Sequence, residues 1–196
     1  MELIILAVVA GLSFASYALW RQARSGDGPR ALDQPKQPAL TDGERTIHTI
    51  QPGDVVTHLG TDWLVEGVLS LDDDGRWSRL YRLADGARVR WMAARPGDDH
   101  PLVLDEAPDL AIEANGPESI AWRGLPFRLA ARESVVAAPL GSVGEGRAPG
   151  RAQLWQYVGG GASRILALAW PARVEAFAGE RVEPHFVEIL PGKPST

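Results

Sequence analysis

The sequence predicts a mainly β fold, built as two similar small antiparallel β-barrel or meander modules packed in tandem and preceded by a single N-terminal transmembrane helix. Three observations lead to this fold class. Residues 53–91 alternate apolar segments with glycine and aspartate turns, which is typical of a meander. A similar pattern returns after residue 119. An uncharged apolar segment, residues 3–20, lies at the start of the chain.

The N-terminal segment predicts a transmembrane anchor over residues 1–24. As a helix, residues 3–20 would be about 27 Å long, close to the roughly 30 Å hydrocarbon core of a bilayer. Tyr17 and Trp20 lie where interfacial aromatics are expected. A cleaved signal peptide would need a basic start, whereas the first charged side chain is Glu2. A buried soluble helix would need a polar face, which this segment lacks.

Residues 25–46 predict a disordered linker, because glycine, proline, aspartate and glutamine dominate and no apolar period recurs. The basic residues near the anchor all follow the apolar segment. The positive-inside rule therefore places the remaining domain, residues 47–192, in the cytoplasm. The predicted partners are the membrane, through residues 3–20, and a protein of unknown identity.

The composition indicates a folded domain that does not bind nucleic acid. Hydrophobic residues make up 45% of the 196 residues, and the formal net charge is -5. From residue 47 onward the chain has 15 basic and 20 acidic side chains, so this part carries the whole net charge. A nucleic-acid partner requires a basic face and is therefore not expected. The chain has no cysteine, which excludes disulfides and thiolate metal sites.

The first predicted unit, residues 47–112, is a β-meander. Trp63 begins an alternating strand, and Asp85-Gly86 is a strong hairpin signal. The adjacent acids Asp72 to Asp74 raise the alternative of a calcium loop. Calcium loops place acids at alternate positions with a later glutamate, so a solvated turn is the preferred interpretation.

The second predicted unit, residues 117–190, repeats the first. Gly60 to Val65 is echoed by Gly124 to Leu129, and in both the glycine precedes an aromatic side chain by three residues. Trp77 to Tyr81 is echoed by Gln153 to Tyr157. Such repetition predicts two related modules that pack together.

Four tryptophans supply the candidate ligand site. We predict that Trp63, Trp91, Trp155 and Trp170 line a pocket at the junction of the two halves. The alternative is that they form the core of a small barrel, where few residues must supply much of the buried area. Aromatic walls with nearby acids would suit a cationic ligand.

The sequence predicts no catalytic residue, no metal-ligand set and no cofactor. The four histidines are scattered, without metal-ligand spacing. Glu183 and His185 would share one face of a strand with Glu175 and Glu188 nearby, which leaves a metal or acid–base site as an alternative to a solvated edge strand. The insertion at residues 138–150 has no P-loop lysine and no dinucleotide fingerprint, and it predicts a flexible loop.

Residues 51–91 resemble a bacterial family known as domain of unknown function 4178. The resemblance rests on Gly53-Asp54, on the Gly60…Trp63-x-Val65-x-Gly67 core, on Trp77…Tyr81-x-Leu83 before Trp91, and on Tyr157 and Trp170 in the second half. It extends over most of residues 47–190 and implies no activity. Because members of the family occur near polyamine-synthesis enzymes, small membrane proteins and homologues of membrane-remodelling stress proteins, it implies an accessory role at the envelope. With the predicted anchor, it implies a single-pass protein of the bacterial inner membrane.

These observations lead to three functional hypotheses, in this order. The first is a membrane-tethered, non-catalytic interaction or adaptor module, associated with envelope stress or polyamines. The second is a small-ligand sensor that binds its ligand between the two β halves. The third is a metal-dependent hydrolase that uses Glu175, Glu183, His185 and Glu188.

Overall fold

A computed structural model describes residues 45–192, which form a mainly β structure of eleven strands and one short 3-10 helix. The strands in chain order are β1 (Val55–His58), β2 (Thr61–Asp73), β3 (Arg76–Asp85), β4 (Arg88–Arg95), β5 (Asp98–Glu106), β6 (Ser119–Trp122), β7 (Leu125–Gly141), β8 (Gly150–Val158), β9 (Ser163–Ala169), β10 (Val174–Arg181) and β11 (Val187–Leu190). The 3-10 helix, Pro184–Phe186, directly precedes β11.

Eight of these strands close into one barrel. Their hydrogen-bonded order is β2-β3-β4-β5-β10-β9-β8-β7, and β7 pairs back onto β2. β1 and β11 extend the sheet beside the first part of β2, and β6 pairs with the first part of β7. The predicted fold class of two tandem modules is therefore wrong, because each half supplies four strands to a single barrel.

The length and bend of β2 and β7 explain the single barrel. β2 has 13 residues and β7 has 17. Each contains a β-bulge, between Val65 and Gly67 in β2 and between Leu129 and Ala131 in β7. A bulge bends a strand and increases its twist. One edge of each strand pairs with β1 or β6 of its own half before the bulge and with the other half beyond it, while the opposite edge stays paired within its own half. The pairings β2·β7 and β5·β10 remove the edges that each four-stranded half would expose alone.

The transmembrane helix of the predicted fold class has no counterpart among the residues that the structure describes. Within residues 45–192, no helix is long and apolar enough to cross a membrane. The predicted anchor, residues 1–24, and the linker up to residue 44 lie outside the part of the chain that the structure describes.

The barrel interior is filled with side chains. Every barrel strand contributes at least one, and the loop after β7 adds another. The set comprises Leu69, Leu71, Leu80, Trp91, Ala93, Leu102, Leu104, Val135, Ala137, Val143, Ala152, Leu154, Leu166, Leu168 and Phe177. An eight-stranded barrel is just wide enough for side chains to fill it, so the interior is a packed core.

Two further cores cover the outside of the barrel, one on each half. The first surrounds Trp63 and lies under β1, β11 and the segment that precedes β1, in which Ile50 is fully buried. The second surrounds Trp155 and lies under the connection between β5 and β6. Residues 110–114 of that connection are irregular and form no strand. Their apolar side chains, Leu110 and Ile112, pack onto the barrel, so the apolar pattern there reflects burial without strand pairing.

The two halves have corresponding strand pairings. Both leading hairpins turn through a non-glycine residue and a glycine with positive φ, Leu59-Gly60 between β1 and β2 and Arg123-Gly124 between β6 and β7. Trp63 pairs with β1 as Phe127 pairs with β6. The division into pseudo-repeats at residues 47–112 and 117–190 stays a prediction.

One predicted match between the halves is out of register. Tyr157 lies opposite Leu129 just before the bulge of β7, as Leu83 lies opposite Val65 just before the bulge of β2. Tyr157 therefore corresponds to Leu83 and not to Tyr81. The match based on sequence similarity is therefore shifted by two residues from the correspondence that the bulges define.

Asp54 ties both ends of the described chain to the sheet. Its buried carboxylate accepts hydrogen bonds from the backbone amides of Gln51 and Gly192, both at 2.8 Å. It also lies 3.3 Å from the Arg45 guanidinium. Because Gly192 lies two residues after the end of β11, this hydrogen bond holds the edge strand against β1.

Candidate functional site

The four predicted ligand tryptophans do not meet in one pocket. Trp63 lies in the outer core of the first half, and Trp155 lies in the outer core of the second half. Trp91 is in the barrel interior, and half-buried Trp170 packs against the same interior cluster. Trp91 and Trp170 both lie at the end of the barrel where β5 and β9 end and β10 begins, which we call the mouth.

The loop between β7 and β8, residues 142–149, folds into the mouth. The Ser142 amide donates a hydrogen bond to the Glu66 carbonyl at 2.8 Å, and Val143 enters the barrel core. Gly144 and Gly146 have φ values of 89° and 72°, which favour glycine. The loop that the sequence predicts as flexible is thus attached to the barrel by its first two residues.

Arg147 is at the centre of the mouth, and its side chain is 9% exposed. Nε donates to Glu175 Oε2 at 2.9 Å, and Nη2 donates to Glu106 Oε1 at 3.1 Å. Nη1 donates to the Val143 carbonyl at 2.5 Å. The guanidinium lies over the Trp91 ring, with Cζ 4.6 Å from the ring centroid. Two carboxylates and an aromatic face thus surround one buried cation.

Hydrogen bonds fix the groups around Arg147 in place. The Trp91 indole donates to Glu106 Oε1 at 3.1 Å, and the Trp170 indole donates to Glu175 Oε2 at 3.2 Å. Arg173 Nη2 lies 2.6 Å from the second carboxylate oxygen of Glu175. We call Trp91, Glu106, Trp170 and Glu175 together the cage. Because the indoles orient both carboxylates, the cage is preorganised to bind a cation.

A cleft of about 340 Å³ opens beside the cage. Glu106, Arg147 and Glu175 line its polar side, and apolar side chains that include Leu110 and Phe177 line the rest. The Glu106 side chain is 50% exposed, so solvent reaches the cage through the cleft.

An aliphatic row extends from the mouth across five strands. The strand register places its members opposite one another on β11, β1, β2, β3 and β4, namely Leu190, Val55, Leu64, Ala84 and Val89. Paired residues of an antiparallel sheet point to the same face. Val89 precedes Trp91 by two residues on β4, so this face continues the one that lines the barrel. We call the row the ledge.

The ledge is exposed at its two leucines, whereas its Ala84 is only 8% exposed, and it has an acidic border. Leu64 is 47% exposed and Leu190 is 45% exposed. The next row on the same face contains Glu188, Thr57 and Asp62. In the second half the corresponding row is Ser119, Arg128, Val158 and Arg164. The aliphatic character is therefore specific to the first half and is not a requirement of the fold.

The structure separates the residues of the hydrolase hypothesis. Glu175 belongs to the cage, and Glu183 lies 3.2 Å from His100 Nε2. His185 packs against Phe186 in the 3-10 helix, and Glu188 lies on β11 opposite Thr57. Among residues 45–192, no group of three or more histidine, aspartate or glutamate side chains could hold a metal ion.

The opposite end of the barrel has its own charged cluster, but its cavity is only about 90 Å³. Arg95 pairs with Glu133, and Arg181 donates to Asp98 at 2.8 Å. Burial raises the pKa of Asp98, but hydrogen bonds from the His100 amide and the Arg181 guanidinium together outweigh burial and hold this pKa below its usual value. A cavity of this size holds a few water molecules, so the mouth and the ledge are the better candidates.

Sequence reasoning missed Arg147 and Glu106. Arg147 stands in a segment rich in glycine and proline, whose composition predicts a loop and conceals a buried charge. A weak signal was available, because Trp91 lies on β4 and Trp170 directly follows β9, and the next strand carries Glu106 or Glu175.

Comparison with known proteins gives one match. A family model described as Domain of unknown function (DUF4178) matches residues 51–184, which include β1 to β10. No curated protein and no solved structure matches the chain.

Proposed function

The chain belongs to the DUF4178 family, and we propose that its barrel is a non-catalytic interaction module that binds a partner protein on the ledge. The exposed aliphatic side chains of the ledge carry this proposal. Exposed apolar surface with a polar border is typical of protein interaction sites. The cellular location and an association with envelope stress or polyamines stay predictions.

The border of the ledge indicates the chemistry of the partner. Asp62 and Glu188 place two carboxylates beside the aliphatic row, and the whole chain has a formal net charge of -5. A complementary partner presents aliphatic side chains next to lysine or arginine. Such border charges mainly accelerate association and are screened by salt.

Photo-crosslinking of the full-length chain tests this proposal. A photoreactive amino acid replaces Leu64 on the ledge, and a matched control replaces Leu140, which is 46% exposed on β7. We expect a protein adduct from position 64 that is absent from position 140, disappears with Leu190→Asp and weakens at high salt. Identical adducts from both positions, or none from position 64, would refute the proposal.

Ligand sensing is a second candidate function, supported by the cleft beside the cage. Two of the predicted tryptophans, Trp91 and Trp170, border the mouth, so their fluorescence should report on a ligand there. Titration of the wild-type chain and of Trp170→Phe with a panel of small molecules tests this function. A flat signal from both proteins across the panel counts against it.

A further inference from the structure

The position of Arg147 within the mouth resembles that of a bound ligand more than that of a structural side chain. We propose that the cage is a binding site for an external alkylguanidinium cation, and that Arg147 fills it as an internal substitute while the ligand is absent. The site is separate from the ledge, and the inference does not depend on the proposed protein partner.

The shape and charge of the cage select a guanidinium. Three donor groups of Arg147 point to Glu175, to Glu106 and to a backbone carbonyl, and its flat face lies on Trp91. A planar cation with several fixed donors satisfies all of these groups at once, whereas a lysine ammonium is a compact point charge. The ligand class is therefore an alkylguanidinium, whether a free small molecule or an arginine side chain of a protein.

The loop allows Arg147 to leave. Val143 anchors the start of the loop in the barrel core, while Gly144, Gly146 and Gly150 follow it. Glycine permits large backbone changes at low cost, so residues 144–149 can swing out while Val143 stays in place. The cleft beside Glu106 then provides the path by which a ligand enters.

The charge of the mouth favours replacement of one cation by another. Within residues 45–192, Glu106 and Glu175 without Arg147 would retain one ion-pair partner, Arg173, which lies beside Glu175 and has a 43% exposed side chain. Removing one partner of a buried ion pair strongly destabilises a protein, because the remaining charge is left uncompensated. Glu106 and Glu175 therefore require a cation in the cage, and an external guanidinium can supply it when Arg147 leaves.

Internal occupation has a measurable consequence. If Arg147 fills the cage for nine-tenths of the time, the apparent affinity for an external ligand falls about tenfold. Removing the Arg147 side chain should therefore strengthen ligand binding. A purely structural anchor predicts no binding to the wild-type chain.

Argininamide is the probe, with lysinamide as its matched control. Calorimetric titration of the full-length chain should show weak, saturable argininamide binding to the wild type and about tenfold tighter binding to Arg147→Ala. Binding should be lost when Glu106→Gln is added to Arg147→Ala. Equal affinity of the wild type and Arg147→Ala, or binding of lysinamide as tight as that of argininamide, would overturn the proposal.

A second measurement uses the wild-type chain alone, so it still tests the proposal if Arg147→Ala fails to fold. Hydrogen exchange of the wild-type chain should become faster in residues 144–149 when argininamide is added, while exchange of the barrel strands stays unchanged. No change in that segment at a saturating concentration of argininamide would overturn the proposal.

A capped peptide with one central arginine distinguishes the two sources of the ligand, a small molecule and a protein. Tighter binding of the peptide indicates a protein ligand, tighter binding of argininamide indicates a small molecule, and binding of neither overturns the proposal.

Discussion

Asp54→Ala should destabilise the domain strongly, because its carboxylate is 2% exposed and accepts two backbone hydrogen bonds. A hydrogen bond to a charged group contributes about 1.5–3 kcal/mol. The amides of Gln51 and Gly192 are only partly buried and can regain water, so we take the lower value twice and expect a loss of about 3 kcal/mol. This is a large fraction of the stability of an ordinary domain.

Urea unfolding of the full-length chain, followed by tryptophan fluorescence, measures this loss. With a slope of about 2 kcal/mol per molar urea, the midpoint should fall by about 1.5 M. The control is Asp62→Ala, where an exposed carboxylate accepts a hydrogen bond from Thr57 at 2.6 Å and the expected loss is below about 1 kcal/mol. Asp54→Asn keeps one acceptor oxygen, so its loss of stability should lie between those of Asp54→Ala and Asp62→Ala.

The same substitution should affect the ledge. Without the hydrogen bond to Gly192, β11 is held by its four-residue pairing with β1 and by the packing of Val187 and Ile189, and it should exchange its amide hydrogens faster. Leu190 would then leave the ledge, and crosslinking from position 64 should weaken. If Asp54→Ala shifts the midpoint no more than Asp62→Ala does, the two hydrogen bonds to Asp54 do not stabilise the fold and this reasoning fails.

Three further predictions follow from close packing and from buried titratable groups. Gly67→Ala should cost about 1–3 kcal/mol, because its Cβ would lie 2.5 Å from the Ser142 carbonyl oxygen; Gly160→Ala, with open space around it, is the control in the same urea assay. Burial, with help from a nearby arginine, lowers the pKa of His58, so the stability that this neutral imidazole provides is complete above pH 6.5 and is lost as the pH falls through the folded-state pKa. Melting temperature against pH should therefore flatten in His58→Gln, and an unchanged profile would argue against this origin. Burial raises the pKa of Tyr81, so the stability that its neutral phenol provides is complete below pH 10 and is lost at higher pH. In an ultraviolet titration, the wild type should show one more phenol that ionises only on unfolding than Tyr81→Phe does.

Local sequence signals located most of the strands, because hairpin turns and alternating burial depend on neighbouring residues. Asp85-Gly86 marks the turn between β3 and β4, and Gly60 and Gly124 mark equivalent turns in the two halves. The acids Asp72 and Asp73 form a turn in which they bind Gly75 and Arg76, in agreement with the solvated-turn interpretation.

The candidate site was harder to predict, because its residues come from distant segments. Trp91, Glu106 and Arg147 meet only because the barrel closes and because an inserted loop folds back into the mouth. Neighbouring residues do not reveal which insertion carries a buried charge. The four candidate tryptophans are the same residue type but lie in different clusters, since adjacent strand positions face opposite sides of the barrel wall.

By itself the sequence determined the β character of residues 45–192, the matching hairpins and membership of the family, because turn residues and strand periodicity act over a few positions. The tertiary structure alone decided that the two halves share one barrel, that the bulges just before Gly67 and Ala131 bend β2 and β7 across the junction, and that Arg147 lies between two carboxylates. The physical reason is that open sheet edges must find partners, and which partners they find depends on the whole chain.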